Sequence, residues 1–295
     1  MPESDRYAIQ KLFDRSAALK EQISHFCNNE FILPKSDKNI SFLEAYFYNI
    51  PIDSFLFRDF TSPIFVEKLK DIFSAPIPFI EDSPLSMNFT ITNLSSSSGS
   101  YILRTVMNND EAITVRLMIE IYDNGHFKFI LPLPQYSDYI GLNTEYENSQ
   151  HLKSFAEIMH HYRMLRVFDG YNLIVVYVTI LNQYIKLLKS YQFDGDLRGR
   201  LRLTNLWRSL VYLNSNEYID FIKTYGLPIC LKDEIEMPPY YDKMGFKFDI
   251  NQDSGISHLG SIIEALGFPR AFISVSILRD FFKHMINKSS NPIND

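Results

Sequence analysis

The apolar positions change their period along the chain, and that change outlines the elements. Ser4 or Asp5 can cap an opening helix, in which Ile9, Leu12, Phe13, Leu19, Ile23 and Phe26 recur near the helical repeat until Asn28-Asn29. The stretch 39–52 reads as a strand that closes at Ile50-Pro51-Ile52, where proline marks an end or an edge. Thr61-Ser62-Pro63 starts a short helix, with a hydroxyl cap followed by proline at the first helical position, where its missing N–H does no harm. Phe65, Leu69, Ile72 and Phe73 give that helix its apolar face, and Pro76, Pro78 and Pro84 then impose a loop. Met87 to Thr92 alternates as a strand. The run Ser95-Ser96-Ser97-Ser98-Gly99 buries nothing and can bond its own backbone, so it is expected as a flexible hairpin connection.

The clearest local signal follows. Tyr101 to Met107 and Ala112 to Tyr122 read as strands joined through Asn108-Asn109-Asp110. Val115, Leu117, Ile119 and Ile121 alternate with Arg116, Met118, Glu120 and Tyr122; Asp123-Asn124-Gly125 turns the chain, and His126 to Leu131 returns. Asn-Gly between alternating strands predicts a tight hairpin turn with both central residues at positive φ.

Beyond Pro132 and Pro134 the period becomes helical. Glu147 to Val167 predicts one helix, Gly170 interrupts, and Leu173 to Tyr191 predicts a second that is apolar on most sides and therefore central. Gly195 and Gly199 bracket a predicted turn, and Leu201 to Leu213 reads as a strand running into irregular or helical structure. Ser215 or Asn216 caps a short helix through Tyr225, stopped by Gly226. Glu236 to Asp249 reads as loop plus a short strand, Ser254 to Leu266 as a helix ended by Gly267 and Pro269, and Arg270 to Ile286 as a last helix before a polar tail. The fold class is α+β: an antiparallel, sheet-rich first half with flanking helices and a mainly helical second half. The shift near residue 140 divides the chain into 1–140 and 141–295, which can equally form one continuous domain.

Composition narrows the function classes. Twenty-four Phe and 18 Tyr are spread through the whole chain, which favours an aromatic core over a local recognition surface. The net charge of −6 lacks the global signature of a phosphate-binding protein, so nucleic acid contact needs a local basic patch. Two cysteines, Cys27 and Cys230, cannot form a disulfide framework and suit a reducing, cytoplasmic setting. The N-terminus is polar, and the apolar run from Leu173 to Leu181 is too short to span a bilayer, so no membrane association is expected.

Linear motifs for catalysis are missing. There is no Gly-x-Ser-x-Gly elbow, phosphate loop or dinucleotide fingerprint. Glu157 and His161 are spaced to share a helix face, but no third ligand completes a metal site, so neither metal nor cofactor is expected. Asp194-Gly195-Asp196 most simply makes a turn. The helix pair between Ile256 and Met285 is too apolar on its second member for a recognition helix. The best cluster is Arg198-Gly199-Arg200-Leu201-Arg202, with Trp207 and Arg208 just downstream. On a strand, Arg198, Arg200 and Arg202 share one face, and guanidinium forks beside an aromatic suit phosphate or nucleic acid. The alternative is a solvated face paired with local acids such as Asp194 and Asp196.

Several landmarks, taken in order, resemble a known family. They are Phe13-Asp14-Arg15 in the opening helix, the strand Leu43 to Phe55 with Ile50-Pro51-Ile52, the Tyr122-Asp123-Asn124-Gly125-His126-Phe127 hairpin, a long helix, and the segment Gly199 to Leu213. Together they resemble the region downstream of the Schlafen AlbA-like domain in bacterial proteins described as DNA-binding or ATP-binding. The AlbA-like domain itself is not apparent in these residues, so the resemblance implies an accessory or regulatory module and supplies no catalytic residues. The expectation is a bacterial, cytoplasmic, non-enzymatic module, monomer or oligomer, that binds a protein partner or nucleic acid, within an assembly such as one in phage defence. The alternative is a hydrolase whose site assembles from distant segments such as Glu157, His161 and the acids near Asp194.

Overall fold

Ser62 holds extended backbone and its Oγ accepts from the Phe65 amide, so the hydroxyl-proline signal starts a helix where the sequence placed it. In the computed structural model, which describes residues 3–28, 40–50, 55–74, 93–97, 99–109, 112–133, 150–159, 162, 165–193, 196–213, 215–243 and 253–269, the elements are as follows. They run α1 (Glu3–Asn28), β1 (Phe42–Ile50), α2 (Pro63–Phe73), β2 (Asn93–Ser97), β3 (Ser100–Asn109), β4 (Ala112–Tyr122) and β5 (Phe127–Pro132). They continue α3 (Gln150–Met159), β6 (Arg166–Asp169), α4 (Gly170–Ser190), β7 (Asp196–Thr204), β8 (Ser209–Tyr212), α5 (Asn216–Tyr225), β9 (Ile235–Lys243) and α6 (Asp253–Ala265). The expected proline loop 76–84, the strand 87–92, His160, His161, Asp194, Gly195, the helix 270–286 and the tail lie outside the described residues.

The fold is α+β. Seven antiparallel strands form one sheet in the order β2-β3-β4-β5-β1-β7-β9, and β6 and β8 pair in parallel beside it. β7 and β9 come from the second half of the chain and complete the sheet begun by the first half. Alternation divides the sheet into two faces. Leu43, Ala45 and Phe47 of β1 stand beside Leu131, Phe129 and Phe127 of β5 and beside Leu203, Leu201 and Gly199 of β7. This face meets α4 in the main core, where the fully buried Tyr184 stacks on Phe127 with centroids 4.3 Å apart. Leu173–Ser190 of α4 is apolar and long enough by composition to cross a membrane, but it is mostly buried against this core.

Several elements differ from the sequence expectation, each for a local reason. The serine run is an edge strand: Ser95, Ser96 and Ser97 pair with Ile102, Tyr101 and Ser100, and only the connection at Gly99 (φ +85°) turns. The Asp123–Gly125 connection has three residues, not two. The Gly125 amide donates to Tyr122 O, the Tyr122 amide donates to His126 O, and within the turn only Gly125 takes positive φ. The helix predicted to Val167 is described over Gln150–Met159, and Arg166–Asp169 are strand, paired with β8; four residues are too few for a period to tell helix from strand. The predicted strand into Leu213 is two strands in two sheets. Gly199 lies within β7, not in a turn, and its missing side chain makes room for Phe47, whose Cε1 would lie 2.6 Å from an added Cβ. Pro238-Pro239 sit inside β9, at the sheet edge, where the register slips between Gly199 and Leu201.

Gly267, two residues past the end of α6, takes φ +104° and would place a Cβ 2.5 Å from the Pro228 carbonyl oxygen. Both the backbone region and the contact oppose a side chain. Gly267→Ala is expected to lower stability by about 2–4 kcal/mol. Chemical denaturation checks this, and a loss below about 0.5 kcal/mol, ordinary for a neutral surface change, would refute it.

Candidate functional site

β7 carries the predicted arginine face. Arg198, Arg200 and Arg202 alternate with Gly199 and Leu201 and stand in register with Tyr48, Tyr46 and Glu44 of β1. Alternation therefore brings the three arginines together as the sequence predicted. Their partners come from strands distant in sequence. Arg200 contacts Glu236, and Arg202 Nε lies 2.8 Å from Glu234 Oε1 and 3.9 Å from Glu44 Oε2. Of the acids expected from the local sequence, Asp194 lies outside the described residues and Asp196 stands in register with Ile50 and Lys243. Two of the three guanidinium groups thus meet glutamates at half-exposed positions, where each pair adds little stability.

Trp207 and Arg208 lie elsewhere. They follow the end of β7 at Thr204, so roughly 20 Å of strand separates Arg198 from this turn. Arg198 therefore stands at the far end of the strand from Trp207 and Arg208. The turn is a rigid loop between β7 and β8. Asn205 and Arg208 both take φ +57°, a left-handed conformation uncommon for residues other than glycine. Tertiary hydrogen bonds hold it. Arg166 reaches Ser41 Oγ with one guanidinium nitrogen at 3.2 Å and donates to the Trp207 carbonyl with another at 2.6 Å, while its amide donates to Arg208 O at 3.1 Å. Ser41 Oγ in turn donates to Asn205 O, and Asn205 Nδ2 donates to Ile40 O at 3.2 Å. Burial lowers the Arg166 pKa and nearby Asp233 raises it in part.

A second segment runs alongside. The Leu206 amide donates to Asp233 O, the Arg208 amide to Cys230 O, and the Cys230 amide to Ser209 O. Leu206 is fully buried, so it pins the loop from beneath. The side chains left outward are Trp207, 52% exposed, and Leu231, 67% exposed, with Arg208 and Lys232 exposed beside them. A large aromatic and an arginine on a pre-ordered backbone can fill a partner's pocket with little further loss of freedom.

Sequence reasoning missed Arg166, the residue that ties this loop to β1 and β6. The helical period assigned to 147–167 hides it, and no local spacing links it to Ser41 and Trp207, 125 and 41 positions away. Glu157, the hydrolase candidate, is exposed on α3. Among the described residues, no three His, Cys, Asp or Glu side chains gather as a metal-binding group. Comparison of the chain with protein-family models, curated proteins and solved structures finds no match.

Proposed function

We propose that this chain is a non-catalytic binding module for a protein partner, engaged through Trp207 and Arg208 with Leu231 beside them. The observation that carries the reading is the half-exposed Trp207 ring on a loop locked by Arg166, Ser41 and Asn205. Exposed tryptophan is unfavourable in water, and fixing its backbone reduces the entropy lost on association. A protein partner is favoured over nucleic acid because glutamates meet Arg200 and Arg202 and the net charge is −6.

Affinity purification of the tagged full chain from its host, with and without nuclease, tests this. Trp207→Ala and Arg208→Glu should each remove a co-purifying protein, with a loss of about 2 kcal/mol or more, roughly 30-fold in Kd. The double variant Arg200→Glu, Arg202→Glu should retain it. Nuclease-sensitive co-purification that disappears with the double variant and survives Trp207→Ala would overturn the reading in favour of nucleic acid.

A further inference from the structure

The second face of the sheet carries a small cluster apart from the main core. Phe26, in the last turn of α1, packs against Tyr46 and Tyr48 of β1, Tyr122 of β4 and His126 at the hairpin turn, with centroids 4.7–6.4 Å apart. Beneath it lies Lys128, 1% exposed, whose Nζ is 4.7 Å from the Phe26 centroid, 5.4 Å from that of Tyr122 and 5.9 Å from that of Tyr46. His126 is 3% exposed. Its Nδ1 faces Asn124 Nδ2 at 3.3 Å, which makes Nδ1 the acceptor and puts the ring proton on Nε2. Nε2 is buried and has no hydrogen-bond partner.

α1 is seated on this floor by one end. Among its described side chains, Phe26 is the only buried one and Ile23 is half-buried beside it, whereas Leu12 and Phe13 are 64% and 67% exposed. The seated state keeps the His126 Nε2 N–H buried without a hydrogen-bond partner, and that group would be hydrated if the helix lifted, whereas the Lys128 ammonium is drawn to the Phe26 ring above it. The gain from burying one ring is thus opposed by a buried N–H under that same ring, which narrows the free-energy gap between the seated and lifted states.

We propose that α1 is a removable cover: Phe26 reversibly closes a floor of Tyr46, Tyr48, Tyr122, His126 and Lys128, and lifting the helix exposes that floor as a cationic, aromatic surface. Acid favours the lifted state, because a proton on His126 needs the water that the cover excludes. The groups around His126 reinforce this. Burial opposes the charged ring, and Lys128, two residues further on in β5, repels the imidazolium in the same direction. Tyr122 and Glu120 lie on β4, Tyr46, Tyr48 and Glu44 on β1, Asp123 in the turn, and exposed His25 beside Phe26 on α1. Cross-strand Glu120 stands opposite Lys128 and tempers its charge.

The test uses the full chain with two readouts, the His126 ring titration by NMR and the methylation rate of Lys128 relative to exposed Lys11. Phe26→Ala should raise the His126 midpoint from about 4 by at least one pH unit. It should also speed relative labelling of Lys128 by about tenfold or more, the share of seating that one buried ring supplies. If that variant does not fold, Ile23→Asn should move both readouts in the same directions. Unchanged midpoint and labelling in a folded variant would overturn the proposal, as would wild-type Lys128 reacting as fast as Lys11.

Discussion

Tyr184→Ala is expected to lower the stability of the chain by about 3–5 kcal/mol, the range for a large aromatic lost from a core. A domain's whole stability is only about 5–15 kcal/mol, so this one change approaches its limit. The reason is where the ring sits. Tyr184 projects from α4 onto the main sheet face, stacks on Phe127 and lies 6.0 Å from Phe47, and its hydroxyl donates to the Gly125 carbonyl at 2.6 Å. Burial raises the hydroxyl's pKa, so it remains a donor across the working pH range. One side chain therefore joins the central helix, the middle of the sheet and the hairpin turn. Tyr184→Phe separates the two contributions. It keeps the stack and removes the donor, with an expected loss of about 1–3 kcal/mol for the carbonyl left without it. Urea denaturation of both variants measures the difference. Equal losses would mean that ring packing contributes nothing, contrary to the geometry.

Acid destabilisation through His126 is the second large effect. Burial, helped by Lys128, lowers this pKa from 6.5 to about 4. Above pH 6.5 the folded and unfolded chains both hold the ring neutral, and His126 contributes no pH dependence. As pH falls below 6.5 the unfolded chain takes up a proton that the folded chain refuses, so stability declines until about pH 4, where both bind it. The full loss is at most about 3 kcal/mol. Lifting of α1 caps it, because a hydrated His126 regains its ordinary proton affinity. His126→Phe removes the titrating group and keeps an aromatic ring beside Phe26. The wild type should lose stability relative to this variant between pH 7 and 5 in matched denaturant titrations. Parallel curves would show that the folded chain already hydrates His126.

Most element positions were legible in the sequence wherever a local signal coincided with a tertiary need. The Ser62-Pro63 start, the Asn124-Gly125 hairpin, the Ser215 cap and the apolar run of α4 each state their structure within a few residues. The misreadings share one cause. Arg166–Asp169 and Ser209–Tyr212 are four residues each, too short for a period to show, and their strand character comes from pairing with each other across intervening α4 and β7. Gly199 and Pro238-Pro239 look like breakers, yet Phe47 needs the space at one and an edge bulge accepts the other.

The arginine face shows the same division. Alternation in 198–202 is a property of the chain, since a strand must send those three side chains to one side. Whether they meet phosphate or carboxylate is decided by which strands lie beside β7, and the sheet brings Glu44 from one flank and Glu234 and Glu236 from the other. Trp207 and Arg208 were visible as residue types. Their loop is set by Arg166, Ser41 and Cys230, which a linear reading has no means to bring together. Periodicity, caps and turn residues act over a few residues and so can be read from the chain alone. Charge partners, burial of His126 and Lys128, and the rigidity around Trp207 depend on strands and helices far apart in sequence, and only packing places them.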